Sequence, residues 1–212
     1  MAGATRRVER TEVPVGGKAE SILAAAKRAF LAAGFGAVSM DSIAREAGAS
    51  KATVYAHFGS KEELFGAVIE RECEDYFGHF SAGELDPRDV RGSLAILGRR
   101  YLELVLSAEG IALHRIITGE VARFPVIGEI FWRAGPERQR VQIEGFLRCA
   151  AATGALAFTD PRLAAEQFLS LVRGEIQLRQ LLQLAPEAGQ HEVRVAVCAA
   201  VDTFVRAFER RP

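Results

Sequence analysis

The chain has 212 residues, of which 49% are hydrophobic and 25% are charged, a composition that excludes an intrinsically disordered protein and predicts a packed core. The formal net charge is zero, which excludes a basic field over the whole surface, so a nucleic-acid partner has to be sought in a local patch. The first 61 residues hold nine basic and five acidic side chains, and this stretch is therefore the place to look.

No stretch reaches the roughly 18 consecutive apolar residues that a membrane-spanning helix needs, and the polar N-terminus lacks the apolar segment of a secretory signal. The three cysteines, Cys73, Cys149 and Cys198, are far apart and have neither CxxC spacing nor clustered histidines nearby. This pattern indicates buried free thiols in a reducing compartment. We therefore expect a cytoplasmic protein that binds no metal, no cofactor and no membrane.

The first two elements are an arm and a helix. Residues 1–16 mix charges with Thr, Pro and Gly and show no apolar period, so we expect a flexible N-terminal arm. From Lys18 onwards apolar residues recur at the spacing of one helix face, and Gly34 supplies the stop of this first helix.

Two short helices and a glycine-containing turn follow. Ser39, with Ser42 three residues later, is a suitable N-cap for a helix that ends at Gly48, and a second short helix runs from Ser50 to about Phe58. This layout is that of a helix-turn-helix. A helical hairpin with a solvated face has the same periodicity, so the pattern by itself leaves both interpretations open.

The second short helix exposes hydroxyls, one cation and few bulky apolar groups, which suits a helix that enters the major groove of DNA. Lys51 and Thr53 lie near its N-terminus and are predicted to reach base edges, while the positive end of the helix dipole attracts phosphate. The predicted DNA-contact residues are Lys18, Ser39, Ser42, Arg45, Ser50, Lys51, Ala52, Thr53, Tyr55, His57 and Lys61.

The rest of the chain is also helical in pattern. A fourth helix is predicted from Lys61 to about Phe80, with Ser60 and Glu63 in capping-box spacing, and a break follows at 81–87. Further helices are predicted at about 88–107, 108–123, 126–153 with a break at 135–136, 161–184 after an Asp-Pro N-cap pair, and 191–209. The sequence contains no run of alternating β-branched residues and no fixed repeat, so the predicted fold class is all-α.

The segment from Gly34 to Phe65 reads GFGAVSMDSIAREAGASKATVYAHFGSKEELF. It closely resembles the DNA-binding signature of the TetR family of bacterial regulators, through pairs such as Ile43-Ala44 and His57-Phe58. The resemblance implies a three-helix DNA-binding domain, a fourth linking helix, a larger helical ligand-binding domain and a homodimer that places two recognition helices in successive major grooves. It also implies that an effector bound in the C-terminal domain shifts the linking helix and releases the operator.

Three segments of the C-terminal half resemble the AefR-like subset of that family. They are HRIITGEVARFP at 114–125, FWRAGPER at 131–138 and DPRLAAEQFLSLVRG at 160–174. Members of the subset respond to varied or unknown effectors, so the resemblance does not carry over the identity of an effector.

An effector pocket in a helical domain is lined by apolar and aromatic side chains with a few polar groups among them. The candidates are Tyr101, His114, Phe124, Phe131 and Trp132, although plain core packing explains each of them as well. The last two helices carry apolar stripes that two-fold mates would bury in a dimer, and inward packing must account for part of each stripe. The predicted interface residues are Phe168, Leu171, Leu178, Val197, Val201 and Phe204.

The patterns and the resemblance predict three regions: an arm at 1–16, a helix-turn-helix DNA-binding domain at 17–63, and a helical effector-binding and dimerisation domain at 64–212. The predicted function is a homodimeric transcriptional regulator, a repressor that a small-molecule effector releases from operator DNA. An activator, or a regulator without an effector, stays open. A helical enzyme is disfavoured because the sequence has no GxSxG, HExxH or P-loop motif and no Cys-His pair with catalytic spacing, and no catalytic residue is predicted.

Overall fold

The computed structural model describes residues 17–77, 84–184 and 188–209. The predicted arm at 1–16 and the expected end of the fourth helix near Phe80 lie outside the described residues. The helices are α1 (Lys18–Ala37), α2 (Met40–Glu46), α3 (Lys51–Phe58), α4 (Lys61–Phe77), α5 (Val90–Leu106), α6 (Ala108–Glu120), α7 (Pro125–Ala134), α8 (Pro136–Ala152), α9 (Pro161–Arg173), α10 (Ile176–Leu181) and α11 (Gln190–Phe208). The prediction of an all-α fold is confirmed, and the described residues contain no β-strand.

Side-chain caps begin several helices at the residues that the sequence predicts. Ser39 Oγ accepts a hydrogen bond from the Ser42 amide at 3.1 Å, and Ser42 Oγ accepts one from the Ser39 amide at 3.2 Å, so the capping box of α2 is closed. The Asp160 carboxylate caps α9 in the same way, followed by Pro161 in the first turn. Each cap pairs amides that have no partner within the helix and is worth about 1 kcal/mol.

Gly34 kinks α1 where the sequence predicts a stop. Its φ of 79° and ψ of 171° lie in a region that is essentially reserved for glycine. The helix does not end there, because the residues up to Ala37 return to helical geometry. The kink turns the end of α1 inward, and the next residue, Phe35, is buried.

The single helix expected at 161–184 is wrong, because the chain breaks at Gly174. This glycine has a φ of 46°, a left-handed conformation that a helix interior does not contain. The chain therefore forms α9, turns, and continues as the short α10, which packs against α5 and α6.

Two hydrophobic cores organise the fold. The first joins α1–α4 with α7 and with parts of α5 and α6, and its centre is a cluster of Phe30, Phe35 and Phe65 with ring centroids 5.0 to 6.0 Å apart. The second joins α5, α8, α9 and α11. Because the first core continues beyond residue 63, α1 packs on α6 and α4 packs on α7.

Candidate functional site

The helix-turn-helix exposes one continuous face of α3. Lys51, Ala52, Tyr55 and Ala56 are exposed at positions that share one side of the helix, while Val54 and Phe58 on the opposite side are buried. We call these four exposed residues, together with the exposed Arg45 of α2, the reading face. Small side chains at two of the five positions leave room for close approach to a flat or grooved partner.

Four predicted DNA contacts, Ser39, Ser42, Ser50 and Thr53, are hydroxyl residues that bond within the helix-turn-helix. Ser50 Oγ accepts from the Thr53 amide at 3.1 Å and lies 2.8 Å from Thr53 Oγ1. The Ser39 and Ser42 hydroxyls form the cap of α2. Because a hydroxyl has one hydrogen and two lone pairs, these bonds are compatible with a further contact, and the predicted contacts to DNA stay predictions.

Lys51 is held by the helix that precedes it. Its Nζ lies 2.8 Å from Asp41 Oδ1 and 5.9 Å from the centre of the Tyr55 ring. The hydrogen bond and the charge of Asp41 raise the pKa of Lys51 above its usual value. The carboxylate thus orients this cation on the reading face, and a phosphate or base that binds Lys51 competes with Asp41 for it.

Lys61, one of the predicted DNA contacts, is half-buried and bonded to the end of α1, and its predicted contact to DNA stays a prediction. Its Nζ donates to the carbonyls of Phe35 and Val38 at 2.9 Å each and lies 4.2 Å from the centre of the Phe35 ring. Hydrogen bonds to these carbonyls satisfy the half-buried ammonium, which the sequence alone predicts to lie on the surface. The Lys18 Nζ also donates to a carbonyl, that of Gly48 at 2.6 Å, but this side chain is exposed and keeps further N–H donors.

We expect Lys61→Ala to destabilise the fold, because two carbonyls lose a charged donor. Hydrogen bonds to charged groups contribute more than neutral ones, and the loss is about 2 kcal/mol. Urea unfolding followed by circular dichroism measures it. Lys51→Ala, which removes an exposed cation and its surface pair with Asp41, is the matched control and should lower the free energy of unfolding only slightly, because exposed ion pairs contribute little to stability. Equal midpoints for the two variants would contradict the structural role of Lys61.

A cavity of about 410 Å³ lies where the two cores meet. Its lining comes from α4 to α10, with apolar walls from residues such as Leu104, Leu113 and Leu169. Four of the predicted pocket residues line it: Tyr101, His114, Phe131 and Trp132. The fifth, Phe124, does not, and that prediction is corrected: its ring packs on Phe35 at 5.5 Å, so it belongs to the first core.

Burial sets the protonation of the polar groups in this cavity. It raises the pKa of the Tyr101 hydroxyl and lowers the pKa of the His114 imidazole, which the charge of Arg173 lowers further. Both groups are therefore neutral at pH 7. Burial also raises the pKa of the Cys73 thiol to about 11, so this cysteine is an unreactive part of the wall.

The expectation of buried thiols holds for Cys73 alone. Cys149 and Cys198 are exposed, because they lie on the outer faces of α8 and α11. Helical periodicity with short apolar runs did not distinguish these faces from the packed ones.

The sequence pattern did not identify several polar residues of the cavity, among them Glu109, Gln139 and Arg173. Each lies in a stretch of helix whose other residues suggest an ordinary core or surface position. A charged residue next to a buried apolar one, such as Arg173 after Val172, was the available signal. It is weak, because the same pattern marks the edge of any amphipathic helix.

Helix α6 lines the cavity and also contacts α1. Glu120 at its C-terminal end accepts a hydrogen bond from the Gly36 amide at 2.7 Å. Near its N-terminus, Glu109 lies 3.7 Å from Lys27 Nζ of α1, which also pairs with Glu72 of α4 at 2.8 Å. Since Glu72 and Glu109 line the cavity as well, a change in its contents acts on groups that hold α1.

In the structure the predicted dimer-interface residues fall into an exposed pair and a buried group. Leu171 and Leu178 are 42% and 56% exposed, and Leu171 lines an apolar groove of about 260 Å³ between α9 and α11. The other four predictions are corrected, since these side chains are buried in the core of a single protomer and are unavailable to a partner. They are Phe168, Val197, Val201 and Phe204.

The described parts of the chain lack both a membrane-spanning helix and a metal-binding cluster. No helix there combines the length and the apolar character needed to cross a membrane. The described side chains also contain no cluster of three or more His, Cys, Asp or Glu residues arranged to hold a metal ion.

Comparison with protein families gives two matches along the chain. The model for bacterial regulatory proteins of the tetR family matches residues 22–68. The model for the C-terminal domain of AefR-like transcriptional repressors matches residues 92–210, more than half of the chain.

Individual relatives agree with these matches. The transcriptional activator FasR of Mycolicibacterium smegmatis is 40% identical over 35% of this chain and 33% of its own length, and the regulator TtgR of Pseudomonas putida is 31% identical over 52% and 53%. The chain thus spans a third to about half of the length of these relatives.

Solved structures match over nearly the whole chain. The flavonoid-responsive regulator FrrA is 38% identical, with a TM-score of 0.73 and coverage of 91% of this chain and 97% of that chain. A TetR-family regulator from Mesorhizobium loti is 26% identical, with a TM-score of 0.76 and coverage of 90% and 96%.

Proposed function

This chain belongs to the TetR family of transcriptional regulators, and on that premise we propose that it is a repressor that a small-molecule effector releases from operator DNA. The observation that carries the proposal is the position of α6. It lines the cavity with residues such as His114, and through Glu109 and Glu120 it holds α1, on which α2 and α3 pack. An effector that moves α6 therefore moves the reading face.

Release requires only a difference in affinity between two states of the protein. An effector that binds the DNA-incompetent state more tightly shifts the population toward that state, and the operator is lost in proportion. A coupling of about 1–3 kcal/mol changes the affinity for DNA by about 5- to 150-fold. A network of a few ion pairs and hydrogen bonds such as that of α6 is sufficient for this magnitude.

A repressor is favoured over an activator by the extent of the matches. The AefR-like repressor model covers more than half of the chain, whereas the match to the activator FasR covers 35% of it. Members of the family are regulators, and an enzymatic function has no support from them. The cavity between the two cores also favours a regulator with an effector over one without.

We propose a division of labour along the chain in which residues 17–63 bind DNA and residues 64–212 bind the effector and a second copy of the chain. The exposed Leu171 and Leu178, and the apolar groove that Leu171 lines between α9 and α11, support dimerisation through α9–α11, since a second copy would remove these apolar groups from water. A homodimer places two reading faces on one duplex. Binding of operator DNA also places the protein in the cytoplasm, where bacterial DNA lies.

The effector class is an aromatic small molecule. The similarity to FrrA, which is flavonoid-responsive and 38% identical along most of both chains, supports a planar ring system. The cavity supports it independently, because Phe131 and Trp132 supply aromatic surface and the volume of about 410 Å³ suits a molecule of two or three rings.

The experiment that tests this function is a fluorescence-anisotropy titration of the protein against its own upstream DNA, with random duplex as competitor. Specific, salt-sensitive binding with two chains per operator supports the proposal. Binding that is weak and indifferent to sequence contradicts it.

Lys51→Ala extends the same titration. Loss of a contact to a base edge should reduce the preference for operator over random duplex by about 10-fold, because such a contact is worth about 1–3 kcal/mol. Arg88→Ala, which removes one cation from the loop before α5, is the control for net charge and should leave the preference unchanged. An equal loss of affinity for operator and random DNA would assign Lys51 to phosphate.

A further inference from the structure

The charged side chains of the cavity are almost all paired with one another or with neighbours. Glu72 and Glu109 share Lys27 at 2.8 and 3.7 Å. Arg140 pairs with Glu144 at 2.6 Å. Glu166, the remaining carboxylate of the lining, accepts from Arg162 Nε at 3.1 Å. Each of these cavity charges therefore has a partner of opposite sign.

Arg173 is the exception. Among the charged cavity residues that the structure describes, it alone has no carboxylate within ion-pair distance. It is an exposed residue that lines both this cavity and the groove between α9 and α11, so its guanidinium lies at the mouth of the cavity. The helix dipole by itself explains a solvated arginine in the last turn of a helix. The side chains next to Arg173 indicate a further role, in binding a ligand.

Two polar side chains of the lining adjoin this cation. The Tyr101 side chain, 6% exposed, and the half-buried His114 both lie in the lining and are both within reach of the Arg173 charge. A phenol hydroxyl and a neutral imidazole each offer one hydrogen-bond donor. The result is a cation and two neutral donors at one end of a largely apolar cavity, with Phe131 and Trp132 in the same lining.

We propose that the cavity recognises an aromatic ring system that carries one anionic oxygen group, which pairs with Arg173 and accepts a hydrogen bond from Tyr101. This inference rests on the proposed function, since it names the chemistry of the effector at that site. The guanidinium is suited to a carboxylate or phenolate because it offers N–H donors in a planar fork and stays charged at every physiological pH. A neutral ligand of the same shape leaves the cation without a partner and loses that contribution.

The probes are matched pairs of a carboxylate, which is fully ionised at neutral pH, and its neutral amide: 2-naphthoate with 2-naphthamide, and biphenyl-4-carboxylate with biphenyl-4-carboxamide. Trp132 is the only tryptophan of the chain and lines the cavity, so its fluorescence reports binding, and titration calorimetry checks the affinities. We expect the full-length protein to bind at least one acid roughly 10- to 100-fold more tightly than its amide.

Arg173→Gln should abolish that preference, leaving acid and amide with affinities within about twofold of each other, while Arg173→Lys should keep part of it. Retained binding of the amide shows that the cavity of the glutamine variant is intact. Arg88→Gln, far from the lining, is the control and should keep the preference of the unaltered protein. Equal binding of acid and amide by the unaltered protein, failure of every acid to bind, or a preference that survives Arg173→Gln overturns the inference.

The same ligands are then added to the complex with operator DNA, and release of the DNA is measured. This experiment tests the anionic site separately from the proposed release by an effector. If an amide releases DNA as well as its acid, effector control stands and the anionic site is refuted. If an acid binds through Arg173 and the affinity for DNA is unchanged, the anionic site stands and effector release is refuted.

Discussion

Gly34→Ala is expected to lower the free energy of unfolding by about 3 kcal/mol or more. The φ of 79° and ψ of 171° at this position are essentially restricted to glycine, and forcing another residue into them costs about 1–3 kcal/mol. A Cβ there would also overlap the Glu120 carboxylate. For a chain of this size the melting temperature should fall by roughly 6–12 °C, which circular dichroism or differential scanning fluorimetry measures.

Two variants separate strain from steric overlap. Gly119→Ala has nothing within 4 Å of its added methyl group and helical backbone, so it should change stability by no more than about 1 kcal/mol, in the stabilising direction. In a Glu120→Ala background the overlap is absent and the strain remains, so Gly34→Ala should cost less stability there than it does in the unaltered protein. Equal melting temperatures for Gly34→Ala and Gly119→Ala would show that the contact between α1 and α6 does not constrain the protein.

Ala52→Glu should abolish DNA binding and leave the fold intact. Ala52 is exposed on the reading face in the first turn of α3, where a carboxylate is favourable to the helix dipole. Against a duplex the same carboxylate meets phosphates and base edges, and a like-charge contact of this kind costs several kcal/mol. We expect the affinity to fall by at least about 100-fold for operator and random duplex alike, measured by anisotropy at constant salt.

The control for that variant is Ala122→Glu, at an exposed position in the turn after α6. It makes the same change in net charge at a distance from the reading face, and its affinity for DNA should stay within about twofold of the unaltered protein. A loss shared by both variants would indicate an effect of net charge, and binding by Ala52→Glu would place the DNA on another surface.

These two predictions concern opposite ends of one chain of contacts, which runs from α6 through α1 to the reading face. Glu120 and Gly36 join α6 to the end of α1, and α1 packs on the two helices that form the reading face. The constraint at Gly34 therefore fixes the orientation of the reading face relative to the cavity. A protein in which this constraint is weakened should retain DNA binding better than it retains release by an effector, since release depends on the connection.

Local chemistry made much of the fold predictable from the sequence. The hydroxyl of Ser39 and the carboxylate of Asp160 cap helices, and the backbone freedom of Gly34 interrupts one, because each acts within a few residues along the chain. The helix-turn-helix also followed from its sequence, since a dense signature spans the whole motif. The break at Gly174 was missed because an isolated glycine in an apolar helical stretch is often tolerated, and only the packing of α10 on α5 and α6 selects a turn there.

The sequence by itself determined an all-α regulator with an N-terminal DNA-binding domain. The helical fold follows from the periodicity of the apolar residues, and the DNA-binding domain follows from a contiguous motif. Only the tertiary structure decided which side chains are free to act. Lys61 is taken up by two carbonyls of α1 and its flanking turn, and Phe168 and Phe204 fill the core of one protomer. Arg173 is left without a counter-ion beside a cavity. These outcomes depend on partners from distant parts of the chain, which helical periodicity cannot identify.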